Sequence, residues 1–186
     1  MSEDTIIRNC SPTLAGIKTG SLFNCPYTTV EETECYIKRF NKSFAQKGVV
    51  LKSLNYSKGR VLAYMYRPSM LKSDLSNSCA GSILRKNGYQ SSKVGYCITR
   101  LTERISGEGE FPHEIGLFLG YPPEDVQGFI SNKGCSAKCT GCWKVYGNKK
   151  TAERQFAKIK KCTSVYCKKW SQGTPLHKLT VSAKVY

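Results

Sequence analysis

The chain has 186 residues, 29 Lys and Arg against 13 Asp and Glu, a formal net charge of +16 and ten cysteines. That length supports one domain, residues 1–186, with a core of its own, and would make two only if both were small. No run approaches the roughly 18 consecutive apolar residues of a membrane span, and the start MSEDTIIRNC lacks the basic-then-apolar layout of a signal peptide, so a cytoplasmic protein without membrane association is expected.

In chain order, Asp4 to Asn9 predicts a short helix. Ser11-Pro12 reads as the N-cap and first position of a second helix ending at Gly20. SLFNC (21–25) is a short strand or loop. From Thr28 to Gln46, Val30, Ile37, Phe40 and Phe44 keep helical spacing and predict an amphipathic helix closed by Gly48. VVLKSLN (49–55) and RVLAYMY (60–66), rich in β-branched and aromatic residues around SKG, predict a β-hairpin. Two short helices follow between Met70 and Lys86, broken near Asn77, and another runs from Ser92 to Ile105.

EIGLFLG (114–120) is a continuous apolar run between prolines and reads as a buried central strand. Pro123, Glu124 and Asp125 open a short helix with its acids at the positive end of the dipole. WKVYG (143–147) reads as a strand, and Thr151 to Trp170 as a long helix with an apolar stripe opposite lysines. The predicted fold class is therefore α+β: a single domain with a small mixed sheet of four or five strands, including the 49–66 hairpin and the 114–120 strand, packed by amphipathic helices.

The sharpest chemical pattern is CSAKCTGC, which carries Cys135, Cys139 and Cys142, with Cys162 on the following helix. Ten thiols in a reducing cytosol argue against a disulfide framework. Four soft thiolates near a glycine-containing knuckle suit zinc or an iron–sulfur cluster, so these four are the candidate metal ligands, with Cys10 as the alternative. Cys167 lies five residues beyond Cys162, about 140° round a helix, and does not join it in one site. The three-then-two spacing occurs in radical enzymes, but those carry the triad near the start of a large barrel. A thiol-exchange role for CTGC would need a helix N-terminus, where strand-like WKVYG stands. The competing reading is that cysteines here are small buried hydrophobes.

Other candidates are sparser. His113 with Glu114 is the one acid–base pair apparent in the sequence, and Cys10 would complete a nucleophilic site with it; packing at a strand end is the alternative. Ser11 and Thr13 at a helix N-terminus, with Lys18 nearby, would hold an anion, as against simply capping that helix. Beyond Val126, thirteen bases from Lys133 to Lys184 face one acid, Glu153, a balance that draws nucleic acid or another polyanion, or else serves only as a solvated face. Tyr64, Tyr66 and Arg67, and Trp143, Lys144 and Tyr146, would place aromatics and cations on strands, where they stack bases or pair across the sheet.

CSPTLAGIKTGSLF (10–23), FPHEIGLFLGYPPEDVQGFI (111–130), and GCWKVYG (141–147) followed by a basic helix with KKCTSVY (160–166) resemble domain-of-unknown-function family 3793. That family is bacterial, largely from anaerobes, and of about this length, and the resemblance covers essentially the whole chain. It implies no catalytic assignment, only an association with iron uptake and flavodoxin-type electron transfer. Cys10, His113, Glu114, Trp143 and Lys144 fall within these segments, whereas Cys25, Cys35, Cys79 and Cys97 fall outside them.

Together these readings predict a cytoplasmic accessory protein that binds a metal or redox cofactor through cysteines, in iron or electron-transfer metabolism, with a flavodoxin-like protein as redox partner. The alternatives are a protein binding RNA or another polyanion through the basic C-terminal third, and a small enzyme acting on an anionic substrate through Cys10 or His113.

Overall fold

The computed structural model of the chain describes residues 1–91, 93–107 and 109–182. It divides into two compact units: residues 1–69 with the stretch from Ile159 onward, and Met70–Lys158 between them. The chain thus leaves the first unit, builds the second and returns.

The first unit begins with α1 (Glu3–Leu14), whose N-cap Ser2 accepts the Thr5 N–H at 3.2 Å. Here the structure corrects the sequence reading. One helix runs through Pro12 in place of two, and Ser11 is not an N-cap: it sits in the last turn and donates its hydroxyl to the Ile7 carbonyl. Proline here removes one N–H donor from the last turns of the helix, and the Pro12 carbonyl is taken by the Ile17 and Lys18 N–H groups, at 2.8 and 3.1 Å. β1 (Gly20–Pro26), α2 (Val30–Phe44), β2 (Val50–Ser57) and β3 (Arg60–Tyr66) follow, with a short 3₁₀ turn at Ala45–Lys47 after α2. The strands form an antiparallel sheet of order β1-β3-β2, and the 49–66 hairpin is present as expected.

A register shift between Ser53 and Asn55 inserts one residue into β2, so that Leu51 and Leu54, three apart, are both buried. Phe23 and Cys25 of β1 and Val61, Ala63 and Met65 of β3 alternate onto one side, where they join Ile6, Ile7, Cys10 and Leu14 of α1 and Ile37, Phe40 and Phe44 of α2. Leu176 and Leu179, from α9 (Leu176–Leu179), complete this core.

Arg67, directly after β3, is buried yet faces carbonyls alone in its hydrogen bonds. It donates to Thr13 O and Leu14 O, both at 2.6 Å, to Val181 O at 2.7 Å and to Lys47 O at 3.2 Å. Two of these acceptors lie at the C-terminal end of α1, where the helix dipole favours a cation. The fork of the guanidinium thereby ties α1, the 3₁₀ turn and the C-terminal stretch together.

The second unit takes in most of α3 (Pro68–Leu75), then α4 (Ser78–Lys86), α5 (Val94–Ser106), α6 (Ile115–Phe118) and α7 (Pro123–Ser131). It ends with a two-residue hairpin, β4 (Cys139–Thr140) against β5 (Lys144–Val145), and the first turns of α8 (Lys149–Ser171). Asn77 does separate α3 from α4, capping the latter through Cys79 N at 2.9 Å. The helix expected over 92–105 begins at Val94, with Ser92 outside the described residues.

The main correction is at 114–120. This run is not a strand: it makes i+3 hydrogen bonds such as Leu117 N to Glu114 O at 3.0 Å and closes a single helical turn, α6. Continuous apolar runs do not distinguish a buried strand from a buried helical turn. Gly116 decides it here, because a Cβ would stand 2.7 Å from Val126 Cγ2 of α7, and the close approach of α6 to α7 requires glycine. With that strand gone and 143–147 reduced to Lys144–Val145, the sheets among the described residues have three and two strands, not four or five in one. No described helix is long and apolar enough to cross a membrane.

Candidate functional site

In the second unit, α6, α7 and the β4–β5 hairpin enclose a cleft of about 280 Å³. Aromatic rings from each of these regions line it: His113, Tyr121, Phe129 and Trp143, with Lys144 and Thr140 alongside. Its size lies just under the roughly 300–1,000 Å³ usual for small-molecule sites, so it suits a compact ligand.

Trp143 is fixed on three sides. Its ring stacks on Tyr121 at 4.8 Å between centroids, and Phe156 of α8 meets it edge-on at 4.6 Å. Its Nε1–H donates to Asp125 Oδ2 at 2.7 Å. Gly141 makes this possible, because a Cβ there would collide with the Phe156 ring. Asp125 is buried in the first turn of α7 and its other oxygen accepts the Tyr146 and Gly147 N–H groups, each at 2.7 Å. One carboxylate thus pins the indole and the strand end together, using the charge-assisted bonds a buried anion requires. Tyr121 donates its hydroxyl to Cys142 O at 3.3 Å, and burial, with Cys142 adding to it, pushes the phenol up to about 12.

The His113 and Phe129 rings lie 4.9 Å apart at an interplanar angle of 59°. His113 Nε2 is 3.3 Å from Glu110 Oε1, an exposed carboxylate. The Lys144 ammonium donates to Gly134 O at 2.7 Å and stands 5.8 Å over the Phe129 ring.

Of the residues singled out in the sequence, the structure brings His113, Trp143 and Lys144 to one site, and it separates the others by role. Glu114 does not partner His113. It is buried, and its Oε1 accepts Arg104 Nε at 2.6 Å and Tyr89 OH at 3.1 Å. Cys10 is wholly buried in the core of the first unit, and burial pushes its thiol pKa far up. Ser11 and Thr13 lie in the last turn of α1, Thr13 sharing a 2.9 Å hydrogen bond with Ser21, so the anion site read from Ser11, Thr13 and Lys18 loses the helix N-terminus it rested on.

Cys135 and Cys142 are exposed and Cys139 is half-buried, while Cys162 is buried on the part of α8 that belongs to the first unit, its thiol pushed up to about 11 by burial. Among the described residues no three His, Cys, Asp or Glu side chains are grouped to hold a metal ion. Tyr121, Phe129 and Asp125 were not signalled as site residues by the sequence. The available trace was the clustering of aromatic and glycine residues in GYPPEDVQGF and TGCWKVYG, which reads equally well as turn chemistry.

A family model described as "Protein of unknown function (DUF3793)" matches residues 6–180, nearly the whole chain. No curated protein and no solved structure matches it.

Proposed function

The chain belongs to that family of proteins of unknown function, and from this premise we propose that it is a binding protein whose second unit holds a small planar aromatic or heteroaromatic ligand in the cleft. The observation that carries this reading is the immobilised Trp143. Tyr121, Phe156 and Asp125 hold its ring in place, and the indole lines a cavity that the His113 and Phe129 rings also line. A rigid aromatic wall loses little freedom when a flat ring stacks against it, and an aromatic pair is worth about 0.5–1.5 kcal/mol beyond area burial.

Binding is favoured over catalysis because the acids nearby serve structure: Asp125 accepts three N–H bonds, and Glu114 is held by Arg104 and Tyr89. A redox cofactor with a planar ring system falls within this ligand class. The accessory role in iron or electron-transfer metabolism would then run through the cleft, not through thiolate-bound zinc or iron–sulfur.

The test is titration of ¹⁵N-labelled protein with quinoline. The Trp143 indole N–H resonance, assigned by comparison with Trp143→Phe, should shift saturably while that of Trp170 stays in place. An unmoved Trp143 signal at saturating quinoline would refute the reading.

A second reading rests on α8, where Lys150, Arg154 and Lys158 follow at four-residue intervals, all exposed, with Glu153 the helix's one acid. Such a cationic row suits the phosphates of RNA or another polyanion. Replacing all three by Gln should lower the salt concentration that elutes the protein from heparin; unchanged elution would remove this reading.

A further inference from the structure

We propose that the cleft selects a planar ligand that also carries an anionic group, a carboxylate or phosphate attached to the ring, and that Lys144 is the residue that reads the charge. This rests on the ring-binding reading above and adds the chemical class of the ligand. Lys144 has three ammonium protons, and one is used on Gly134 O at 2.7 Å. It has no ion-pair partner among the described residues. Two protons therefore remain for a ligand, on a lysine whose position is fixed by the Gly134 bond and by the Phe129 face.

The buried carboxylate at the cleft does not oppose an anion. The Asp125 carboxylate is turned to Trp143, Tyr146 and Gly147, all three of which donate to it, and so its charge is met locally. Glu110 is exposed and lies against His113 Nε2. The Thr140 hydroxyl, paired across the hairpin with Lys144, lines the same cleft and can donate to the same anionic group. A cation beside a hydroxyl at the edge of an aromatic slot complements a flat ring with an acidic substituent. A neutral ring would add no charge for the ammonium to meet.

Three probes separate the two layers of the reading: quinoline, a ring without charge; quinoline-4-carboxylate, the ring with charge; and acetate, charge without a ring. All are titrated against the ¹⁵N-labelled full chain, following the Trp143 indole resonance. Since Lys144 is exposed, its ion pair is worth about a fivefold gain in affinity for the carboxylate-bearing probe over quinoline. Lys144→Met should abolish that preference while quinoline still binds, and Lys144→Arg should restore it. Equal affinity of the two ring probes for the wild-type chain overturns the proposal but leaves ring binding intact. An unaltered preference in Lys144→Met overturns the assignment to Lys144. If neither ring probe moves Trp143, both this inference and the ring reading fail together.

Discussion

Asp125→Asn keeps shape and volume at the base of the cleft and changes only charge and one donor–acceptor pairing. The asparagine oxygen can still accept the Tyr146 and Gly147 N–H groups that Asp125 Oδ1 meets at 2.7 Å, but as a neutral acceptor. Its amide group then faces Trp143 Nε1, a donor placed 2.7 Å from Oδ2. Hydrogen bonds to a charged group are worth about 1.5–3 kcal/mol and neutral ones about 0.5–1.5. Two bonds are therefore weakened by about 1 kcal/mol each, and the third is lost with its indole N–H left unpaired, at a further cost of about 1–3 kcal/mol. The expected destabilisation of the second unit is about 3–5 kcal/mol.

Because the chain has two units, the assay needs a local probe: urea unfolding followed by the backbone amide resonances of the second unit, with a double-mutant cycle against Trp143→Phe. Coupling of about 1.5–3 kcal/mol is expected between positions 125 and 143. A loss below about 1 kcal/mol in Asp125→Asn, with no coupling, would show that the buried carboxylate does not hold the indole.

Arg67→Met should destabilise the first unit by about 3 kcal/mol in urea unfolding, because the carbonyls of Lys47 and Val181 lose their donor, and Arg67→Lys should recover only part of it; a Met variant as stable as wild type would refute the clip. Thiol titration of native protein with a chromogenic disulfide should give a burst of four, from Cys35, Cys79, Cys135 and Cys142, with Cys10, Cys25, Cys97 and Cys162 reacting only on unfolding. A burst of two that rises to four on adding a chelator would instead restore a metal on Cys135 and Cys142.

Burial pushes the Glu34 carboxyl up, but hydrogen bonds from Ser53 at 2.5 Å and Tyr56 at 2.7 Å, backed by Lys52 and Lys38, outweigh it and hold the pKa below the usual value. A depressed folded pKa gives stability that is complete above the unfolded value and is lost as pH falls through the folded one. The double change Ser53→Ala with Tyr56→Phe should therefore flatten the fall in stability below about pH 4.5; an unchanged acid limb would count against it.

The elements legible in the sequence were those whose periodicity and boundaries agreed. In α2, Ile37, Phe40 and Phe44 keep one face, and Gly48 with φ of 64° closes the segment. The 49–66 hairpin carried its turn chemistry in SKG, where Lys58 and Gly59 both take positive φ. What failed was decided by neighbours distant in sequence. Nothing inside EIGLFLG announces that Val126 will press on Gly116, and Ser11-Pro12 has the composition of a helix start although it stands near a helix end. The site was half-visible for the same reason. Trp143 and Lys144 drew attention by residue type, whereas Asp125 looked like an ordinary acid in a first helical turn, and only the fold shows it reaching residues 143, 146 and 147. Close spacing of cysteines along the chain is a poor guide to grouping in space: among the described residues no three His, Cys, Asp or Glu side chains come together to hold a metal ion.

The discontinuous first unit has a bearing on how the protein is made. Its sheet and its first two helices leave the ribosome early, but Leu176, Leu179 and the Val181 carbonyl that the Arg67 guanidinium needs are translated only after the second unit. Between Ser69 and Ile159 lie about 90 residues, on the order of 5–20 s of synthesis. Throughout that interval the early half carries a cationic arginine and an apolar face without their final partners, and the second unit has its whole sequence by the end of it. The nascent chain should therefore acquire protease resistance out of chain order, the inserted unit first and the flanking one only once residues through Val181 have been made, and a chaperone that holds the early sheet would act within that window.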